Sequence, residues 1–273
     1  MRLRPRPLAP ARPVIQIEQF GDVTRIRLAS WGSIAAGMHV SAYLTRGVLV
    51  DTGFAHASRV IARLVAERRP AGAMLTHWHE DHAGNADLLA ACGIPLAMSV
   101  ATEAQLRSSA RLRTYRRVVW GTPPALRTAF ERLQHPALEL LPAPGHSADH
   151  HVVWDAERET LFSGDLWLGV RTRVMHEDEE PYRILSSLRA VIALRPRRMF
   201  DAHRGAVSNP VAALGARAAW LEETIAAIQG RLDAGWETRA IVREVLQGEE
   251  PVAYLSGGEY ARRNFVEAVR RGR

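Results

Sequence analysis

The chain has 273 residues and a formal charge of +7; 47% of it is hydrophobic and 24% charged, an ordinary globular balance for one large domain or one domain with a small appendage. No apolar run approaches the ~18 residues of a membrane-spanning helix. The single cysteine, Cys92, excludes an internal disulfide framework, so a reducing, cytoplasmic setting is expected.

All 36 basic residues are arginine. In a chain this rich in Ala and Arg, that reads first as the mark of a GC-rich coding composition, and the net charge adds a lean toward anionic partners. The opening "MRLRPRPLAPARP" is basic, broken by prolines and not followed by the apolar core of a signal peptide; residues 1–13 read as a flexible, solvated tail. Alternating or continuous apolar residues then predict strands at "VIQIEQF", "VTRIRLA", "HVSAYLT" and "GVLVDTG". "SRVIARLVAERR" has helical spacing, with Val60, Ile61, Leu64 and Val65 on one face. A short strand, "GAMLT", follows, then a helix at "NADLLAAC" and a strand at "IPLAMSV".

From Thr102 to Leu133 the chain is Arg-rich and helical in pattern, interrupted by "GTPP" at Gly121 to Pro124. Strands return at "LELLPA", "HHVVWD" and "ETLFSGD", followed by a helix at "PYRILSSLRAVIAL" and a strand at "RMFDAH". Beyond Pro210 three helical segments are expected, near 211–233, 238–247 and 258–271. This alternation, with consecutive strands at the start, predicts α/β layering over residues 14–209 and a helical region, 210–273, as a small appendage.

Against this background "THWHEDHAGN" stands out, because His77, His79, Asp81 and His82 fall within six residues directly after an apolar strand. Buried imidazoles and carboxylates need partners, and a divalent metal ion is a partner that suits this donor set. Three further strands end on a residue of the same kind: "APGHSADH" with His146, "LFSGD" with Asp165 and "MFDAH" with His203. Together they suit two ions, one on His77, His79 and His146, the other on Asp81, His82 and His203, with Asp165 bridging.

The ordered set "VLVDTG", "THWHEDHAGN", "PGHS", "SGD" and "DAH" resembles the metallo-β-lactamase superfamily of hydrolases over roughly residues 15 to 205. The resemblance implies a four-layer αββα sandwich, a dinuclear site at one edge of its two central sheets, and a role for Asp51 in supporting the metal loop. It also implies a branch. Many true β-lactamases of the superfamily carry a cysteine ligand where this chain has Asp165, whereas the set with both Asp81 and Asp165 looks like the glyoxalase II, lactonase and nuclease branches. Diiron flavoproteins typically carry Glu at the position of His79 and fit less well.

The chemistry so implied uses two Zn2+ ions, with iron or manganese as alternatives. A water bridging two dications ionises near neutral pH and attacks a carbonyl carbon or phosphorus. Asp81 would orient that nucleophile as well as bind metal. Two dications, two aspartates and a hydroxide carry about +1, which favours an anionic or carbonyl-bearing small-molecule substrate. A small ester, thioester or lactone is the expected substrate class. The alternatives are an endoribonuclease of the lactamase-β-like branch, whose compact winged-helix-like tail the C-terminal region is similar to, with RNA then as partner, and an iron persulfide dioxygenase.

Around the core, His150 is expected behind the ligands, His151 at a strand start, and Trp78 and Glu80 as shapers of the loop. His39, His56, His135 and His176 lie outside the motifs and are expected to face solvent. Two Arg-rich regions are candidates for substrate contact. The first is 102–134, with Arg107, Arg111, Arg113, Arg116 and Arg117 around Leu106, Leu112, Tyr115 and Trp120. It reads equally as a lid over the site and as a solvated basic helix face. The second is the tail with Arg262, Arg263, Arg270, Arg271 and Arg273, where helix-end placement against the dipole is the competing reading.

Overall fold

The computed structural model describes residues 14–35, 37–108 and 112–272. The N-terminal tail of residues 1–13, Arg111 and Arg273 lie outside them.

The first half builds one sheet and its helices: β1 (Val14–Phe20), β2 (Val23–Ala29), α1 (Trp31–Ala35), β3 (Val40–Thr45), β4 (Val48–Val50), α2 (Ser58–Arg68), β5 (Gly72–Met74), α3 (Ala86–Ala91), β6 (Leu96–Ala97), α4 (Val100–Arg107) and α5 (Thr114–Trp120). Its six strands lie in sequence order, antiparallel from β1 to β4 and parallel from β4 to β6. The second half supplies β7 (Leu138–Pro142), β8 (His151–Asp155), β9 (Thr160–Phe162), β10 (Met175–His176), α6 (Pro181–Ala193), β11 (Arg198–Asp201), β12 (Gly205–Val207), α7 (Pro210–Asp233), α8 (Thr238–Val245), α9 (Pro251–Leu255), β13 (Tyr260–Ala261) and α10 (Arg262–Arg271). Five of its strands form a second sheet, β12-β11-β9-β8-β7, while β10 and β13 pair separately.

Strand alternation makes the layers. In "VLV", Val48 and Val50 point to the space between the sheets, and Leu49 points outward to the helices. Tyr43, Met74, Leu138, Val153, Phe162 and Phe200 complete the inter-sheet layer. There Phe162 and Phe200 stack with ring centroids 5.4 Å apart. The Tyr43 hydroxyl donates to the carbonyl of Asp201 at 2.6 Å, satisfying a polar atom that burial would otherwise penalise. Outside the first sheet, Ile61, Leu64 and Val65 of α2 and Leu89 of α3 cover Ile26, Leu28 and Leu75. Outside the second, Ile184 and Leu188 of α6 and Leu214 and Leu221 of α7 cover Val152, Trp154 and Leu161. Each such side chain, fully buried, contributes about 1.5–3 kcal/mol. The result is an αββα sandwich.

The helices of 210–271 pack through Ile241, Phe265, Val266 and Val269 into the same hydrophobic cluster as the second sheet. Their last segment begins later than the expected 258: Gly257 and Gly258 have positive φ, and Tyr260–Ala261 are a strand paired with Met175–His176. No helix among the described residues is long and apolar enough to cross a membrane.

The helical reading of 102–133 holds in two pieces, α4 to Arg107 and α5 from Thr114 to Trp120. Residues 121–134 are extended or irregular. Pro123 and Pro124 donate no backbone hydrogen bond, and a residue before proline disfavours the α region. The stretch instead follows the edge of the first sheet, where Leu96 N–H donates to Glu131 O at 2.9 Å and Leu133 N–H to Leu96 O at 3.0 Å.

Candidate metal centre

The clustered residues all leave the ends of strands at one edge of the sandwich. His77, His79, Asp81 and His82 follow β5, His146 follows β7, Asp165 follows β9 and His203 follows β11. The 76–85 loop is a tight coil. The carbonyl of His79 accepts from the N–H groups of His82 and Ala83 at 3.0 and 2.9 Å. A Cβ on Gly84 would stand 2.3 Å from the carbonyl oxygen of Glu80, so only glycine closes this coil. Gly164, before Asp165, has φ +51°, and a Cβ there would stand 2.7 Å from Nε2 of His150. That nitrogen accepts from the backbone N–H of Asp165 at 3.0 Å, while His150 Nδ1 donates to Ala143 O at 3.0 Å.

Two groups of ligand-type atoms result, each within 4.8 Å: His77, His79, His146 and Asp165 in one, Asp81, His82 and His203 in the other. In the first, Nδ1 of His79 lies 2.9 Å from Nε2 of His77 and 3.0 Å from Nε2 of His146, which is 3.3 Å from Oδ2 of Asp165. In the second, Nε2 of His82 and of His203 are each 3.2 Å from Oδ1 of Asp165, and 3.8 and 3.7 Å from Oδ2 of Asp81. Asp165 thus stands between the groups, one oxygen toward each.

Hydrogen bonds behind the cluster decide which ring nitrogens face it as lone pairs. Nδ1 of His82 donates to Asp51 Oδ2 at 2.8 Å, Nδ1 of His203 to the carbonyl of His39 at 2.6 Å, and Nδ1 of His146 to Glu179 Oε1 at 2.7 Å. The Thr76 hydroxyl donates to Asp51, so it accepts from Nδ1 of His77 at 3.0 Å. Nε2 of His77, His82, His146 and His203 are left as acceptors pointing at other acceptors. Nε2 of His82 and Oδ1 of Asp165 are buried with no hydrogen-bond partner among the described residues. Acceptors facing each other need a cation between them. Tetrahedral zinc, with ligand bonds of about 2.0–2.1 Å, would set its ligand atoms about 3.3 Å apart. The three neighbouring spacings given for the first group, 2.9, 3.0 and 3.3 Å, lie within a few tenths of an ångström of that value, so the donor set fits a divalent ion.

Protonation follows the same logic. Burial, together with the neighbouring histidines, holds His77 well below its ordinary pKa. Burial also lowers His79, with His146 and Arg116 adding to it. Burial would lower His203 too, but attraction to the charges of Asp165 and Asp81 raises it to about 9. For His82 the charges of Asp165, Asp81 and Asp51 likewise overcome burial and raise it. The carboxylates call for positive charge at this point, which protons or a divalent cation can supply.

The cluster forms the floor of a cavity of about 430 Å³, in the range of small-molecule sites. Met38, Trp120, Leu168 and Val174 give it apolar walls, and Arg116, Arg171, Arg173, Arg204 and Tyr260 also line it. Of the lid arginines, Arg116 reaches this cavity but is committed to carboxylates. It makes two 2.6 Å bonds to Glu80 and a 3.0 Å bond to Glu259. Arg107 pairs with Glu103, Arg113 with Glu177 and Glu259, and Arg117 bonds Thr122. In the tail, Arg262 pairs with Glu250 and Arg270 with Glu267, Arg271 donates to the carbonyl of Glu177, and the backbone of Arg263 donates to Glu249.

Three histidines depart from the sequence expectation, His176, His39 and His135. His176 is buried, not solvent-facing: β10 and β13 enclose it, and its Nε2 bonds Glu259 at 3.1 Å. His39 is half-buried, lines the cavity and lends its carbonyl to His203. His56 is exposed, and His135 is half-buried with Nδ1 accepting from Leu138 N–H at 3.1 Å. His151, half-buried, starts β8.

Sequence reasoning missed Glu179, Glu259, Tyr260 and the acceptor role of Asp149. The Asp149 carboxylate takes bonds from Trp78 N–H and the Thr102 hydroxyl at 2.9 Å each, tying the "GHSADH" loop to the "THWH" loop and to α4. Glu179 sits in "HEDEEP", an acidic run before a helix, where attraction to the helix N-terminus hides any sign of a site.

Two packed sheets flanked by helices, with histidines and aspartates gathered at one sheet edge, define the architecture of a metallohydrolase. Residues 37–203 match the family model described as "Metallo-beta-lactamase superfamily", and the chain belongs to that superfamily. It is 27% identical over 184 residues to the Beta-lactamase-like protein 2 homolog of Drosophila melanogaster, covering 61% of this chain and 58% of that protein. It is 29% identical over 170 residues to an atrochrysone carboxyl ACP thioesterase of Aspergillus fumigatus, covering 59% and 48%. The match thus spans about half the length of these curated relatives. Among solved structures, the DIM-1 metallo-beta-lactamase aligns with a TM-score of 0.58 at 20% identity, over 77% of this chain and 98% of that one, a likeness of fold.

Proposed function

We propose that the protein is a metal-dependent hydrolase of a small ester, thioester or lactone. Two divalent ions, most simply zinc, would be held by His77, His79 and His146 on one side and Asp81, His82 and His203 on the other, with Asp165 shared. The observation that carries this reading is the set of buried acceptors, Nε2 of His82 and Oδ1 of Asp165 among them, that face one another with no donor between.

Such ions, when bound, supply Lewis acidity and a water that ionises near neutral pH. The chain's own residues do the rest. Asp81, at the cavity floor between His203 and His82, is placed to accept a hydrogen bond from an attacking water and hold it toward the substrate. The apolar walls at Trp120, Leu168 and Val174 exclude bulk water, and Arg171 and Arg204 bias the mouth toward an anionic substrate. Asp51, Glu179 and the His39 carbonyl fix ring orientation, and the His150 ring holds the Asp165 backbone.

Thioesters are favoured within this class because the Aspergillus fumigatus relative is named as a thioesterase. Residues 14–209 would form the metal-binding domain, and the helical region 210–273 would close one wall of its cavity. The test is hydrolysis of a panel of acyl thioesters, esters and lactones by zinc-reconstituted protein. His79→Ala and Asp81→Ala should abolish turnover with circular dichroism unchanged. Retained turnover in either variant would overturn the assignment.

A further inference from the structure

Tyr260 comes from the C-terminal region, far in sequence from every ligand-type residue, yet it lines the same cavity as His79, Asp81, His146, Asp165 and His203. Three anchors hold it there. It pairs with His176 in the β10–β13 ladder, and its ring packs edge-on to the His176 ring at 5.0 Å. Its backbone N–H donates to Ser256 Oγ at 3.0 Å. The neighbouring Glu259 is locked by the Tyr115 hydroxyl at 2.6 Å, Arg116 at 3.0 Å and His176 at 3.1 Å. A side chain so fixed loses little further entropy on meeting a ligand.

The other enclosed tyrosines all use their hydroxyls. Tyr43 donates to Asp201 O, Tyr115 donates to Glu259, and Tyr182 accepts from Gln229. The Tyr260 hydroxyl makes no hydrogen bond to any described residue. It is a rigid donor at the wall of a cavity whose floor is made of acceptors, and Arg116 beside it is committed to Glu80 and Glu259. A bound carbonyl or carboxyl oxygen is the acceptor such a donor lacks.

We propose that Tyr260 is a substrate-contacting residue, its phenol donating a hydrogen bond to an oxygen of the acyl group as that oxygen gains charge. This rests on the hydrolase reading above. It makes the C-terminal region part of the active site, since β13 delivers the donor.

The test uses the zinc-loaded full chain. Tyr260→Phe keeps the ring and its contact with His176. It should lower kcat/KM by roughly ten- to a hundredfold, mainly through kcat, with zinc content and Tm unchanged. Phenylphosphonate, a stable mimic of the tetrahedral anion, should bind the variant at least tenfold more weakly. A second measurement leaves the sequence untouched. Saturating phenylphosphonate should protect Tyr260 of the wild-type chain from nitration by tetranitromethane, while Tyr254, 80% exposed, is nitrated throughout. Unchanged kcat/KM in Tyr260→Phe, or phosphonate binding without protection of Tyr260, would overturn the proposal. Failure of the hydrolase reading looks different: wild-type protein loaded with zinc would then turn over no substrate in the panel.

Discussion

Glu179 takes a 2.7 Å hydrogen bond from Nδ1 of His146, on the side of the ring away from the cluster. Both side chains are buried, so the bond is charge-assisted and poorly screened. It presents Nε2 of His146 to the site as a lone pair and raises its basicity. Glu179→Gln keeps the shape and removes the charge. Metal affinity measured by chelator competition should fall about 10–100-fold, the usual cost of losing such a supporting carboxylate, with the fold intact. Equal affinity in the variant would show that Glu179 is only a packing residue.

Arg116 carries a structural load distinct from any contact with substrate. It bridges Glu80, which lies between two ligand-type residues, and Glu259, beside Tyr260, and all three side chains are buried. Arg116→Ala strands the Glu80 carboxylate and takes one partner from Glu259, which keeps Tyr115 and His176, and should destabilise the protein by about 3–5 kcal/mol in urea melts. The double variant Arg116→Met with Glu80→Gln should recover much of that loss. A single-variant loss below about 1 kcal/mol would mean that water replaces the guanidinium freely.

Gly164 makes a sharper demand. Its φ of +51° and the 2.7 Å approach of His150 to the position of a Cβ leave room for hydrogen alone. Gly164→Ala should destabilise by more than about 1 kcal/mol, and it should displace the Asp165 backbone from His150. Thermal melts and zinc stoichiometry would record both effects. A variant with wild-type Tm and full zinc content would contradict the strain argument.

Much of this was legible in the sequence. The strand and helix pattern specified the layers because each strand alternates between an inter-sheet and an outer face, as Val48, Leu49 and Val50 do. The residues at the site were legible because they sit in short motifs straight after strands, where chain geometry leaves few places to go. Residues that reach the site through tertiary packing alone were not. Nothing local marks Tyr260 or Glu259, since their place is set by a two-residue pairing with Met175–His176. No motif surrounds His176, so nothing local marks its burial, which that same pairing imposes. Residues 125–133 carry a helix-like pattern, but Leu96 offers them an extended partner instead.

That extended segment has its own acid sensitivity. Burial alone would raise Asp87, but bonds from the backbone N–H groups of Thr128 and Arg127, each 2.9 Å, hold its pKa below the ordinary 3.8. A carboxyl whose folded pKa is depressed stabilises the fold fully above its unfolded pKa, and that stability fades as pH falls through the folded value. Amides near 125–128 should lose protection below about pH 4, and Asp87→Asn should show part of the same loss at pH 6. Hydrogen exchange corrected for intrinsic rates measures this. Equal protection at pH 6 and pH 3 would contradict it.

We propose a two-ion centre built by seven side chains from four strand ends. Elemental analysis of protein purified without a metal-binding tag tests it most directly, with His203→Ala measured alongside. Two divalent ions per wild-type chain and one in the variant are expected, because His77, His79 and His146 remain together when the second group is broken. Wild-type protein that binds no metal even after reconstitution, or a variant that keeps both ions, would contradict it.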